Sequence, residues 1–507
     1  MGGEHSSNLQ INPGLRDINL YGRNALFNFD LRKFENYSCY TICDMKKFFL
    51  AGGLCLSVVL IALPIITGCT KSSDGHGGSD SFESDAINVG ANNYVHKIMK
   101  STYYWCDGVR DDIDKSTTTV KNYFYLQLVP EDRWSWMTDA ATYYSSETGV
   151  STSYGMSYGQ PLKGYEDYGV YVTMVYKDSP FAKAGITRGW RIDRINGSPV
   201  MDLIIAGTFY SELDKNNNEF TFTDLNGNTK VLSIGKSTFT ANCVLKSEVY
   251  TSADYPALPA GAKVGYLVYR SFNKSLKNEL IEAVGKMKGE GITDMVLDLR
   301  LNGGGDVGVC TELASLLAPE SADGKVFIKI KHNAKNSGSD FDYKIKRTAN
   351  SLNLRRLFVI GGRGTASASE SVINCLKPYM QVEFVGDTTY GKPNGMYLYT
   401  YMKKGSKTEG WAFYPTCFYC VNSNGEGNYD DGIVPVKLVY DDLYHDWGTE
   451  ETALKACLDY ISTGSYPSIT YSPKLRTKSQ NVVKVRTERD ASHYGQAIVR
   501  AEHIEEY

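Results

Sequence analysis

Histidine is scarce in this chain, an excess of either charge is missing, and cysteine forms no framework. Seven histidines among 507 residues leave few candidates for an imidazole base or a histidine-rich metal site. Lys plus Arg number 54 against 57 Asp plus Glu, so no basic field draws the molecule onto nucleic acid. After Cys69 come Cys106, Cys243, Cys310, Cys375, Cys417, Cys420 and Cys457, an odd number scattered through a large chain. That pattern excludes a disulfide scaffold. Cys417 and Cys420 form C-x-x-C, but no second pair or nearby histidine completes a tetrahedral zinc set. In the strand-like GWAFYPTCFYCV, positions i and i+3 face opposite ways, so both thiols read as structural. No Lys-Ser/Thr pair follows the glycine turn at residues 303–305, which argues against a phosphate loop of the P-loop kind. No cofactor and no metal are expected.

One long apolar run stands out, within MKKFFLAGGLCLSVVLIALPIITGC at residues 45–69. Two lysines, an apolar stretch and small residues before a cysteine follow the order of a secretory signal. The ending Ile66-Thr67-Gly68-Cys69 resembles the lipobox of bacterial lipoproteins, which implies lipidation of Cys69 as the first mature residue. The alternative is a transmembrane anchor, since the run approaches the ~20 apolar residues of a spanning helix. On the lipoprotein reading translation starts at Met45, and residues 1–44 are a non-native upstream segment outside the fold. The Ser/Gly/Asp tract of 70–84 reads as a flexible tether from membrane to body. The expected location is the bacterial cell envelope, lipid-anchored on the extracytoplasmic side.

The remaining length suits an α/β multidomain protein. Residues 85–159 carry helical patterning with Trp134 and Trp136, and predict a small helical N-terminal domain with aromatic core residues. From 160 to 240 the texture is short strands and turns: GVYVTMV alternates, AKAGI is a short helix, and Asn196-Gly197 marks a turn. The stretch SPFAKAGITRGWRIDRINGSPV resembles a PDZ domain. That resemblance implies capture of a peptide C-terminus by backbone N–H groups at Tyr168, Gly169, Val170 and Tyr171, or a module that only gates a neighbouring domain. Residues 241–465 alternate strand and helix, and the polar 466–507 reads as a tail or as an arm packed on the body.

Within 241–465, Met295-Val296-Leu297 reads as a buried parallel strand, followed by the glycine loop Asn302-Gly303-Gly304-Gly305 and a helix. Leu357–Ile360, a helix from Ser367 to Leu376 and Val382–Val385 form a β-α-β unit. Serine at a helix start has a plain explanation as an N-cap. Lys392 follows the next strand, however, so nucleophile, base and glycine amides gather at corresponding strand ends, where an open parallel sheet collects reactive groups.

DLRLNGGG, TASASE and TTYGK together resemble the three signatures of the carboxy-terminal processing (tail-specific) serine proteases, over about residues 160–465. The resemblance implies a PDZ domain beside a ClpP/crotonase-like αβ catalytic domain, with Ser367 as nucleophile and Lys392 as general base. The oxyanion donors are then the N–H groups of Gly304 and Ala368, with Gly303 a near alternative. A lysine base must be neutral, which requires a pKa far below the ordinary value of about 10.4. Among the histidines, His332 follows a strand and His445 lies in a polar connection, and neither accompanies a strand-end motif. The chain departs from the family pattern at Val436, where an acid is usual, and at Trp190, where aspartate is common. Protein or peptide substrates are the expected partners, and the oligomeric state stays open. The competing reading is a lipid-anchored peptide-binding protein that keeps the catalytic fold only as a scaffold.

Overall fold

Apolar alternation along a few strands divides the main core into two faces. In this computed structural model, which describes residues 85–160, 169–469 and the backbone of 496–506, a six-stranded sheet carries the order Val244–Tyr250, Val264–Tyr269, Asp294–Asp298, Arg356–Gly361, Gln381–Gly386, Lys437–Leu438. Its first pair is antiparallel and the others are parallel. Leu267, Tyr269, Leu297, Leu357 and Val359 face one core, packed by the helices Lys277–Glu290, Val307–Leu317 and Ala368–Leu376. Tyr266, Val268, Val296, Phe358 and Ile360 face the other, beneath the helix Thr452–Thr463. The period of two along each strand produces this division.

A second sheet runs Trp136–Asp139, Gly410–Tyr414, Asn394–Met402, Thr416–Val421, Val326–Lys331, Phe341–Lys344, with antiparallel neighbours. Trp136 stacks on Tyr414 at 4.0 Å between ring centroids. The helices Val89–Thr102 and Val120–Leu126 bury Tyr94, Val95, Ile98, Tyr123 and Phe124 in the same continuous core as the three helices that pack the first face of the parallel sheet. Residues 85–139 are thereby built into the larger body through both a strand and an apolar face. The backbone of Gln496–Glu506 forms a strand parallel to Asn394–Met402.

A third sheet has its own core of Tyr154, Val170, Val172, Phe181, Ile192, Phe220 and Phe222. Its order is Met156–Gly159, Val170–Val175, Arg191–Ile195, Asn217–Thr223, Thr229–Gly235. Asn196 and Gly197 both take positive φ (50° and 78°), as a tight hairpin turn requires, and return the chain to Ser198–Pro199.

Candidate active site

The strand Arg356–Gly361 ends in Gly362-Arg363-Gly364-Thr365-Ala366, and the helix Ala368–Leu376 starts after Ser367. Ser367 itself holds φ 59° and ψ −114°, a region that non-glycine residues seldom occupy. Such strain persists only where the surroundings enforce it, and here Glu370 does so. The Ser367 N–H donates to Glu370 Oε2 at 2.7 Å, while Ser367 Oγ is buried without a hydrogen-bond partner.

Glu370 also holds the segment that carries the lysine. Gly391 N–H and Thr389 Oγ1–H donate to its Oε1 at 2.7 and 2.6 Å, and Lys392 N–H donates to its Oε2 at 2.9 Å. One carboxylate therefore fixes the backbone of both Ser367 and Lys392. Burial pushes the Glu370 carboxyl up, opposed by its hydrogen bonds from Thr389, Ser367, Gly391 and Lys392. Three of its four partners are backbone N–H groups, which can only donate and so favour the ionised form.

Lys392 is 1 % exposed, and its Nζ lies 3.4 Å from the Met396 thioether. Burial lowers its pKa to about 7, partly opposed by the carboxylates of Asp132 and Glu370. A neutral amine at mild pH is thus available, the condition a lysine base must meet. Nζ and Ser367 Oγ are not hydrogen-bonded to each other in this arrangement.

Asn302 organises the glycine loop. Its Nδ2–H donates to Tyr269 O, its Oδ1 accepts the Gly304 N–H at 2.8 Å, and its carbonyl accepts Ser369 Oγ–H and Ala366 N–H. Gly304 therefore stands beside the Ser367 turn, with its amide directed at Asn302. Gly305 has φ 143°, and a Cβ there would lie 2.5 Å from Phe272 O, so only glycine fits. Gly303 precedes the short strand Gly304–Asp306, and Ala368 opens the helix, where amides are not yet consumed by the helical ladder.

The N-terminal helical segment reaches the site as well. Arg133 Nη2–H and Trp134 Nε1–H both donate to Gly391 O, at 3.0 and 3.2 Å, just before Lys392. Sequence reasoning missed these two residues, since more than 250 positions separate them from the lysine and no motif spans that gap. It also missed Glu370 and Asn302, which did have a signal: Ser367-x-x-Glu370 is a capping-box spacing, and Asn302 stands at a strand-to-glycine turn.

His332 contacts Asp340 and Tyr397, and His445 contacts Asp442, so both are engaged away from Ser367. Val170 and Tyr171 pair with Ile192 and Arg191 on one side, and Tyr171 pairs with Gly159 on the other. A peptide adding as a strand would need a different edge of this sheet. Gly169 leads into the strand, whereas Tyr168 and Cys69 lie outside the described residues. Among the described residues no helix is long and apolar enough to cross a membrane.

A buried lysine with depressed pKa, tied through one carboxylate to a strained serine at a helix start, is the arrangement that comparison with known proteins has to explain. Residues 263–436 match peptidase family S41. The match covers about a third of the chain and encloses Ser367, Lys392 and the glycine loop. A protein of Staphylococcus aureus strain N315 named "Probable CtpA-like serine protease" is 25% identical over 312 residues, covering 61% of this chain and 58% of that protein. One from Staphylococcus epidermidis is 23% identical over 336 residues, covering 66% and 63%. The chain thus spans less than two thirds of the curated relatives it matches. A solved structure titled "Putative S41 protease", from Bacteroides fragilis NCTC 9343, superposes with TM-score 0.59 at 21% identity, over 73% of this chain and 97% of that one. This likeness shows a shared fold.

Proposed function

We propose that the protein is a serine endopeptidase in which Ser367 Oγ attacks a peptide carbonyl and Lys392 Nζ accepts its proton. The attack forms an acyl-enzyme and releases the amine portion, which takes a proton back from Lys392; water then hydrolyses the ester. The observation that carries this reading is Glu370, whose carboxylate binds the N–H groups of Ser367 and Lys392 together. The N–H groups of Gly304 and Ala368, with Gly303 nearby, are the oxyanion donors. For Gly304 to serve, its amide must turn from Asn302 Oδ1 toward the substrate oxygen. The sheet module of residues 156–235 acts as a PDZ-type domain that recognises substrate C-termini, with the peptide strand added at an edge other than Val170–Val175, which is paired on both sides. Lipidation of Cys69 holds the enzyme on the extracytoplasmic side of the cell envelope.

The test is hydrolysis of an unstructured protein such as casein from pH 6 to 10, by the parent and by Ser367→Ala and Lys392→Ala. Loss of cleavage in both variants, with parent activity rising through about pH 7, is expected. A parent that neither cleaves nor reacts with a serine-directed probe overturns the peptidase reading in favour of a peptide-binding scaffold.

A further inference from the structure

The strand Gln496–Glu506 lies between two segments that lead out of the candidate active site. On one side it pairs in parallel with Asn394–Met402, from Met396↔Ile498 and Tyr397↔Val499 to Met402↔Glu506. On the other, Gly304, Gly305 and Asp306 pair with Gln496, Ala497 and Ile498. Asn394 is two positions after Lys392, and Gly304 belongs to the loop of the oxyanion donors. The start of this strand therefore bridges the base side and the oxyanion side.

We propose that the chain's own C-terminal strand occupies the peptide groove of the Ser367 site and restrains its activity until it is displaced. This inference rests on the peptidase reading above. A substrate presented to Ser367 must lay extended backbone along the same edges, and each strand N–H and C=O can be paired only once. The tail and a substrate are then mutually exclusive. The arrangement of the site agrees: Ser367 and Lys392 are each 1 % exposed, Ser367 Oγ has no partner, and the Gly304 amide is committed to Asn302.

The sequence of the tail fits the role. QAIVRAEHIEE contains Ile498, Val499 and Ile504 and neither proline nor glycine, a composition suited to strand pairing. Parallel pairing places Gln496 nearest the glycine loop and carries the chain end away from it, so the segment fills the groove without presenting its terminus to the nucleophile. Residues 470–495 connect it to the body, enough chain to reach roughly 80 Å when extended, so release is not opposed by a short tether. A tethered strand acts at an effective concentration of order millimolar, so even a weak intrinsic affinity keeps the groove occupied.

The experiment compares the full chain with a chain ending at Gly495 and with full-length Ile498→Pro, which removes a strand N–H without shortening the chain. Casein hydrolysis is read for each, with Ser367→Ala as the blank. Release of the strand should raise kcat/KM by about tenfold or more in both variants, since the tethered competitor is lost. A synthetic peptide of residues 496–507 should inhibit the shortened chain by raising KM alone. It should also bind the shortened chain carrying Ser367→Ala in a fluorescence anisotropy titration, a readout independent of catalysis. Ser367-dependent cleavage that is equal or slower in both variants, or absence of peptide binding, overturns the inference and leaves the peptidase reading standing. Cleavage that is insensitive to Ser367→Ala overturns the peptidase reading itself.

Discussion

Lys392 couples the chemistry of the site to the stability of the fold. Its folded pKa is about 7, against an ordinary lysine value of 10.5, so between these limits the unfolded chain holds a proton that the folded one lacks. Stability due to this group is fully present above the unfolded pKa and is lost as pH falls through the folded one. Lys392→Met, which fits the same buried volume without charge, should stabilise the protein at pH 7 by on the order of 2–4 kcal/mol and flatten the rise in stability toward pH 10. Urea unfolding at pH 7 and pH 10 checks both effects. In the parent, kcat/KM should increase through about pH 7 and then level, following the neutral amine. Glu370→Gln would set an amide NH₂ against donors that now face a carboxylate. It should lower kcat by roughly 100-fold or more with a smaller change in KM, and reduce Tm, because the two donors on the replaced oxygen, at least one of them a buried N–H, lose their acceptor. An unchanged kcat would show that Glu370 does not hold the pair.

At the scale of elements, sequence foresaw much of the parallel sheet. Buried apolar runs gave Asp294–Asp298 and Arg356–Gly361, and the Ser367–Leu376 helix lies where serine followed by apolar periodicity placed it. Trp136–Asp139 was read as part of a helical region and is a strand, because pairing with Gly410–Tyr414 and stacking of Trp136 on Tyr414 outweigh local propensity. Local pattern does not distinguish a disordered tail from a packed arm over 466–507, because the strand pairing of 496–506 arises with residues about 100 or more positions away. Gly391 is a further element-level constraint, with φ 87° and no room for Cβ against the Asp430 carbonyl. Gly391→Ala should therefore displace the Lys392 segment and lower kcat by at least tenfold while secondary structure is retained, measured by kinetics beside circular dichroism.

Across the whole molecule, a buried ionic cluster joins the third sheet to the strand end that precedes the glycine loop. Asp441 Oδ1 accepts from Arg188 Nη2 at 2.7 Å and from Arg300 Nη1 at 2.8 Å, and Arg300 also binds Asp298 and Glu451. Trp447 packs against both guanidinium groups, at 4.2 and 5.4 Å from its ring centroid. Removing one partner of such a cluster strands buried charge. Asp441→Asn should cost about 2–4 kcal/mol, and limited proteolysis should then release fragments bounded near the third sheet sooner than in the parent. Equal proteolysis patterns would show that the cluster does not fasten the two parts together.

Sequence alone determined the α/β class, the strand-end positions of Ser367 and Lys392, and the glycine loop, because these depend on short-range periodicity and on residue types at fixed spacing. Tertiary structure decided how they are held. Glu370 reaches across from the helix to the lysine segment, Arg133 and Trp134 close on Gly391 from the other end of the chain, and burial lowers the Lys392 pKa. Spacing along the chain fixes which groups are present; only desolvation and contacts between distant segments fix their charge and orientation.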